Sequence, residues 1–343
     1  MALCLIVLVA ALAVWLVQAF TGDAGRAWRA MLINFQFFTA LACGMVAWPA
    51  VVLAAQGKWS RSLEPVATSA VAFAPFSIAA FVALFAGREH WAAWITTRMD
   101  FQHVWLNVPF VFARDAIALV GLWILAIVFS RQCRSPQPSR VLAGWLVFAY
   151  CAVFALLGFD MVMALDPQWY STLFGGYFFV SGFYIALAGW GLAAVLCCRG
   201  IGRDRLHDLG KLIVAFSLLT AYMMYSQLLP IWYENIPEET RQIFPRLRQG
   251  DWRAFSWLLL ALIYLGPLVI LLTRWAKRTP AFLGIVCLAL LAGMWIERWW
   301  LVAPMAGAAP AIGLTEISLT AAFAAAMVLA MNLQLAREKD VKP

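Results

Sequence analysis

Residues 30–55 read AMLINFQFFTALACGMVAWPAVVLAA, a run without one Asp, Glu, Lys, Arg or His. At about 1.5 Å per helical residue such a run is long enough to cross the ~30 Å hydrocarbon core of a bilayer. Working outward, comparable runs lie at 2–20, 64–86, 104–130, 140–163, 174–198, 208–231, 253–274, 281–302 and 312–336. The chain has 343 residues, of which 64% are hydrophobic and 12% charged, and its mean hydropathy is +0.83. A soluble domain carries about 45–50% apolar and about 25% charged residues. One soluble core cannot hide this much apolar surface, and a disordered chain lacks it altogether. The runs are unbroken, unlike the alternating segments of about ten residues in a membrane barrel. The expected fold is therefore an all-α integral membrane protein of about ten transmembrane helices, in one polytopic domain covering 1–343. The first run lacks the basic n-region of a signal peptide and is expected to be a retained helix.

Formal net charge is +8. Lys and Arg concentrate in the even-numbered loops and at the C-terminus, for example Lys58, Arg61, Arg131, Arg134, Arg140, Arg274, Lys277, Arg278 and Lys339. The positive-inside rule then places both termini in the cytoplasm and turns the odd-numbered loops outward. The implied partner of this charge is the lipid bilayer, with no nucleic acid. Seven cysteines occur without a C-x-x-C, so no disulfide, zinc or iron–sulfur framework is expected. The three histidines, His90, His103 and His207, fall in or beside loops, which argues against a bis-histidine haem. No G-x-x-x-x-G-K is present. The reading is a chain that binds no redox centre of its own.

Ionisable groups inside spans cost about 2.5–3.5 kcal/mol each, so each needs a reason. Arg114 and Asp115 fall about ten residues into the fourth run, near mid-membrane by this count. Adjacent helical residues point about 100° apart, so each is expected to pair with a neighbouring helix. Asp160 lies near the outer end of the fifth run, whereas Asp166, before Pro167, is turn chemistry. Asn34 and Gln36, Tyr222, Tyr225 and Gln227, Glu297 and Arg298, Glu316, and His103 with Asn107 also sit in outer halves, with Glu64 the main exception. The bland account is a buried ion-pair network; the functional one is a proton path or polar cavity. Arg114, Asp115, Asp160, Gln227 and Glu234 are expected to line one connected polar region, with Glu297 and Glu316 as further members. Two outer loops are long. Trp91, Trp94, Ile95 and Met99 are spaced for a short helix lying in the interface. Asn235-Ile236-Pro237-Glu238 reads as a capping box, with Arg246 and Arg248 near the helix end. Trp169, Tyr170, Trp232, Tyr233, Trp295, Trp299 and Trp300 form either an interfacial belt or a docking surface.

Longer segments carry a resemblance. Leu157-Gly158-Phe159-Asp160 with Leu165-Asp166-Pro167-Gln168-Trp169-Tyr170-Ser171-Thr172-Leu173-Phe174-Gly175 resembles the ActF-type membrane subunit of alternative complex III. So do His207-Asp208-Leu209-Gly210-Lys211-Leu212, Tyr225-Ser226-Gln227 and Ile231-Trp232-Tyr233-Glu234-Asn235-Ile236-Pro237-Glu238-Glu239-Thr240, and the basic stop Arg274-Trp275-Ala276-Lys277-Arg278. The match covers about 157–300 well and the first half loosely. The resemblance implies an NrfD-like (polysulfide-reductase membrane subunit) fold: two four-helix bundles, about 30–163 and 174–302, with flanking helices at 2–20 and 312–336. It implies a quinol:electron-acceptor oxidoreductase in a bacterial inner membrane. Partner membrane and periplasmic subunits would carry iron–sulfur clusters and c-type haems, and an ActC-like paralogous subunit would be a further partner. Quinone or quinol is the implied small molecule, and His103, Asn34, Gln36 and Tyr225 are its candidate contacts. The other readings are a secondary transporter, a lipid-processing enzyme or a non-catalytic membrane scaffold.

Overall fold

The computed structural model describes residues 1–96, 104–135, 137–198, 200–248, 250, 252–306 and 310–340. Helices dominate it and no strand occurs among the described residues. Ten helices are long and apolar enough to cross a membrane: α1 (Ala2–Thr21), α2 (Ala24–Ala54), α3 (Glu64–Ala86), α4 (Val108–Gln132), α5 (Arg140–Leu165), α6 (Phe174–Cys197), α7 (Arg203–Glu234), α9 (Trp252–Leu272), α10 (Pro280–Met305) and α11 (Leu314–Arg337). A shorter helix, α8 (Pro237–Arg248), lies in the loop between α7 and α9. The protein is thus a multi-pass membrane protein, and most boundaries fall within four residues of those read from the apolar runs. The largest shifts are at helix ends with their own chemistry. Asp23 caps α2 by accepting from the Arg26 backbone N–H, which carries that helix back to residue 24.

Two helices are apolar on every side and are buried accordingly. From Ala30 to Ala50 every residue of α2 is buried, and α6 is buried along most of its length. Helices α2–α5 form one bundle, and α6, α7, α9 and α10 form the other. They share a core, because α6 packs on α2 and α5 while α10 packs on both α6 and α2. The flanking helices do not stand apart at opposite ends: α1 and α11 pair with each other and lie against α2 and, through α11, α3.

Polar side chains stitch these contacts across apolar surfaces. Trp48 Nε1 donates to the Phe183 carbonyl at 2.9 Å, tying α2 to α6. Thr39 and Ser77 share a hydrogen bond of 2.9 Å, and Trp123 Nε1 donates to the same Ser77 at 3.2 Å, joining α2, α3 and α4. Close approach comes from small residues, as expected where lipid supplies no hydrophobic drive between helices. A Cβ on Gly44 would meet Ala186 Cβ at 2.5 Å and the Tyr150 hydroxyl at 3.1 Å.

Prolines mark where two spans depart from α geometry. Pro75 begins the second half of α3, after a 3₁₀ segment at Ser69–Phe73. Pro267 follows a π-helical segment at Leu260–Leu265 in α9. A proline has no N–H for the carbonyl four residues earlier, so Pro267 leaves the Ile263 carbonyl free. Tyr184 fills that gap, its hydroxyl donating to the Ile263 oxygen at 2.8 Å. Ser217 donates likewise to the Tyr264 carbonyl at 2.9 Å.

Two expectations for the long loops are corrected. The expected short helix at Trp91, Trp94 and Ile95 is split into two short helical pieces, Arg88–Trp91 and Ala93–Ile95, and both tryptophan rings are buried in the protein. Trp91 Nε1 donates to the Leu84 carbonyl at 2.9 Å, so the protein satisfies its polar atom; Met99 lies outside the described residues. Asn235 does not cap α8. It ends α7 in the left-handed region at φ 50°, which Asn tolerates, and α8 starts at Pro237.

Packing at Gly44 yields a direct test. Gly44→Leu should destabilise the protein by about 1–3 kcal/mol through overpacking. Gly144→Leu should change stability by less than about 0.5 kcal/mol, because a Cβ there meets nothing within 4 Å. Thermal unfolding of both variants in the same detergent measures the contrast.

Candidate functional site

The buried charged side chains are Asp115, Asp160, Arg246, Lys277, Glu297, Arg298 and Glu316 among the described residues. All but Lys277 lie towards the odd-numbered loops. At about 1.5 Å per residue Glu297 is about 8 Å from the end of its helix at Val302, and Arg114 about 9 Å from Val108. Arg114 and Asp115 thus lie nearer the odd-loop end of α4 than the sequence count suggests, because α4 starts four residues later than the apolar run.

Three separate groups result. In the first, Arg114 Nη2 meets Asp160 Oδ2 at 2.6 Å, linking α4 to α5. Arg114 Nε stands 3.7 Å from Asp115 Oδ1, so the adjacent pair is the looser one. Trp105 Nε1 donates to Asp160 Oδ1 at 2.9 Å, and its ring lies 3.9 Å from the Arg114 guanidinium carbon. Neither oxygen of Asp115 accepts a hydrogen bond, although the residue is 1% exposed. Gln36 reaches this corner from α2: its Nε2 donates to the Met161 carbonyl at 3.5 Å, and its Oε1 accepts none.

The second group belongs to α6, α9 and α10. Tyr177 donates its hydroxyl proton to Glu297 Oε1. Arg298 Nη1 lies 3.2 Å from Glu297 Oε2, and Arg298 Nη2 donates to Ser181 Oγ at 2.7 Å. The guanidinium also sits 4.1 Å from the centre of the Phe178 ring. Tyr264 is brought alongside by the π segment. Gly293, one turn before Glu297 on the same face, allows this: a Cβ there would meet Ile263 Cγ2 at 2.5 Å. Gln227 lines a small cavity of about 40 Å³ with Tyr177, Trp169, Arg246 and Trp300, and its Oε1 accepts from Ser171 at 3.5 Å.

Arg246 is more than a favourable charge at the end of α8. It is buried, and its guanidinium donates to the carbonyls of Trp300 at 3.2 Å and Leu301 at 3.1 Å, satisfying the open end of α10. Burial pushes its pKa down to about 10, with Asp166 acting in the opposite direction. Ser256 completes the anchor, donating to the Arg246 carbonyl at 2.7 Å and accepting from Trp300 Nε1 at 2.9 Å.

The third group is structural. Arg26 holds Glu316 in a bidentate pair at 2.6 and 2.8 Å, joining α2 to α11. Asn34 Oδ1 accepts from Trp295 Nε1 at 3.1 Å and from Thr320 Oγ1 at 2.9 Å, clamping α10 and α11 onto α2.

The expected single polar region is therefore divided. Arg114, Asp115 and Asp160 come together, with Gln36 nearby; Gln227 belongs with Tyr177 in the other bundle. Glu234 and Tyr225 are exposed and line neither group. Glu316 and Asn34 are fully engaged in helix packing. His103 lies outside the described residues. Of the aromatic belt, Tyr170, Trp232 and Tyr233 are exposed, whereas Trp169, Trp299 and Trp300 are buried. Tyr177, Tyr264 and Trp105 join these groups without being among the residues expected from the sequence. A buried phenol or indole in an apolar run usually finds a partner, and that is the signal the sequence offers.

Arg114 faces two carboxyl groups, so its loss should be severe. Arg114→Leu should cost about 3–5 kcal/mol, as for other buried pairs stripped of one partner. Adding Asp160→Leu should restore part of that loss. A double-mutant cycle by thermal unfolding in detergent checks this, and strictly additive losses would show that the pair is not coupled.

Compared with known proteins, the chain matches no family model and no curated sequence.

Proposed function

We propose that this chain is the ActF-type membrane subunit of a quinol-oxidising respiratory complex of the alternative complex III kind. It sits in a bacterial inner membrane with both termini cytoplasmic, beside an ActC-like paralogue. Iron–sulfur clusters and c-type haems reside on partner subunits at the odd-loop face. The observation that carries this reading is the gathering of buried ionisable groups at one end of both bundles. The lengthy motifs at 157–240 support it. Each such group costs folding energy in hydrocarbon, so the uneven division of Arg114 between two carboxyl groups asks for more than a helix tie.

In this reading quinol oxidation yields quinone, two electrons and two protons. The electrons leave through the partners' redox groups. The protons need bases near the same face. Arg114 confronts two carboxyl groups, so the group carries zero net charge when it holds one proton. Asp115, held by Arg114 only at 3.7 Å, is the member placed to take that proton, while Asp160 stays fixed by Arg114 and Trp105. Interrupted helices in α3 and α9 also suit a secondary transporter. Solute uptake by vesicles containing this chain alone would favour that second reading.

Native purification should recover cluster- and haem-bearing partners. In the assembled complex, Asp115→Asn and Asp160→Asn should lower quinol turnover and proton release by about 100-fold, the scale of a lost acid–base group. Unchanged turnover per intact complex would refute the proton role.

A further inference from the structure

Cations crowd the even-loop face where α7 begins. Residues 203–211 and 274–278 hold Arg203, Arg205, Lys211, Arg274, Lys277 and Arg278 against two acids, Asp204 and Asp208. Both acids are already engaged. Arg278 Nη2 lies 2.9 Å from Asp204 Oδ1, and Lys211 Nζ lies 2.6 Å from Asp208 Oδ1. The remaining charge converges instead of spreading along the loops. The short helix Arg274–Arg278, between α9 and α10, packs on α7. His207 accordingly stands in the combined field of Lys277, Lys211 and Arg278.

Lys277 differs from the other cations here. Only 9% of it is exposed. Its stem lies in the notch left by Gly210 on α7, where a Cβ would meet Lys277 Cγ at 2.5 Å and Cδ at 2.9 Å. Its ammonium reaches the surface, yet it has no hydrogen bond or ion pair among the described residues. A cation that has given up most of its water calls for an anion, and an ammonium brings three donors to one. The surroundings set the depth. Trp275, two residues earlier, is 62% exposed and its ring lies 4.4 Å from that of Phe282, as suits an aromatic pair at headgroup level. Deeper in the bilayer, exposed apolar side chains follow on both helices: Leu218 and Tyr222 of α7, and Val269 and Leu272 of α9.

We propose that Lys277, with the cations around His207, is a binding site for the phosphate of an anionic phospholipid in the even-loop leaflet. The Lys277 ammonium donates to the phosphate oxygens, and the acyl chains lie on the exposed apolar flanks of α7 and α9. Basic pockets between helices at this face suit anionic headgroups. A zwitterionic lipid is the poorer fit, because it brings its own ammonium to a place already rich in cations. The assignment needs only the membrane fold and stands apart from the respiratory reading.

The test strips the full-length protein of lipid in a neutral detergent and titrates it with dioleoylphosphatidylglycerol or dioleoylphosphatidylcholine. Native mass spectrometry counts the lipid retained. Phosphatidylglycerol should bind about tenfold more tightly than phosphatidylcholine, the scale of one charge-assisted hydrogen bond. An excess of inorganic phosphate should not displace it. Lys277→Gln should remove about tenfold of the phosphatidylglycerol affinity and leave phosphatidylcholine unchanged, and Lys277→Arg should retain it. Arg140→Gln takes one exposed charge from the start of α5, in the other bundle, and should have no effect. The comparison of the two lipids needs no variant, so it decides even where Lys277→Gln fails to fold. Equal retention of both lipids, displacement by inorganic phosphate, or equal losses in the Arg140→Gln and Lys277→Gln proteins would overturn the assignment.

Discussion

An ionised side chain has no water to turn to inside hydrocarbon, so a membrane fold that keeps one must supply its partner from another helix. That constraint organises this molecule. Arg114 and Asp160 bind α4 to α5, Arg26 and Glu316 bind α2 to α11, and the Glu297–Arg298 pair binds α10 to α6 through Tyr177 and Ser181. Each pair also fixes the sliding register of two helices, which apolar packing alone leaves loose. The pairs gather towards the odd-numbered loops. Through the rest of the core, tryptophan and hydroxyl hydrogen bonds and close glycine contacts do the corresponding work.

Backbone irregularity serves the same end. Pro267 removes one hydrogen bond from α9, and the chain widens into a π turn. Tyr184 and Ser217 donate to the Ile263 and Tyr264 carbonyls there, so neighbouring helices support the distortion. Its consequence is positional: Tyr264 and Glu297 come to line one cavity of about 290 Å³. Gly293 permits the approach. A proline, a glycine and two hydroxyls on four different helices thus cooperate to place one phenol.

The spans were legible in the sequence because the bilayer sets both their length and their composition. A run such as 30–55 has one physical use. What the runs do not encode is rotational phase. Helices apolar on every side give no amphipathic stripe, so nothing in the residues said that Gln227 faces inward while Tyr225 and Glu234 face out. Long-range pairing was equally hidden: Arg26 and Glu316 are 290 positions apart in the chain. Local rules misled where tertiary demand was stronger. Asn235 and Glu238 have capping-box spacing, yet the chain spends Asn235 on turning out of α7. Arg246 looked like a dipole partner for its own helix, and instead it closes the end of α10. Trp91 and Trp94 looked interfacial, and they are core residues.

The functional account depends on sidedness: the charge-bearing end of the bundles must face the compartment where electrons and protons depart. Accessibility of single cysteines to a membrane-impermeant maleimide in intact cells measures this, with the native cysteines replaced by serine. Tyr233→Cys, on the exposed end of α7, should be labelled in intact cells, and Ser135→Cys, past the end of α4, should be labelled only after lysis. The reverse pattern would put the buried ion pairs against the cytoplasm and contradict the account.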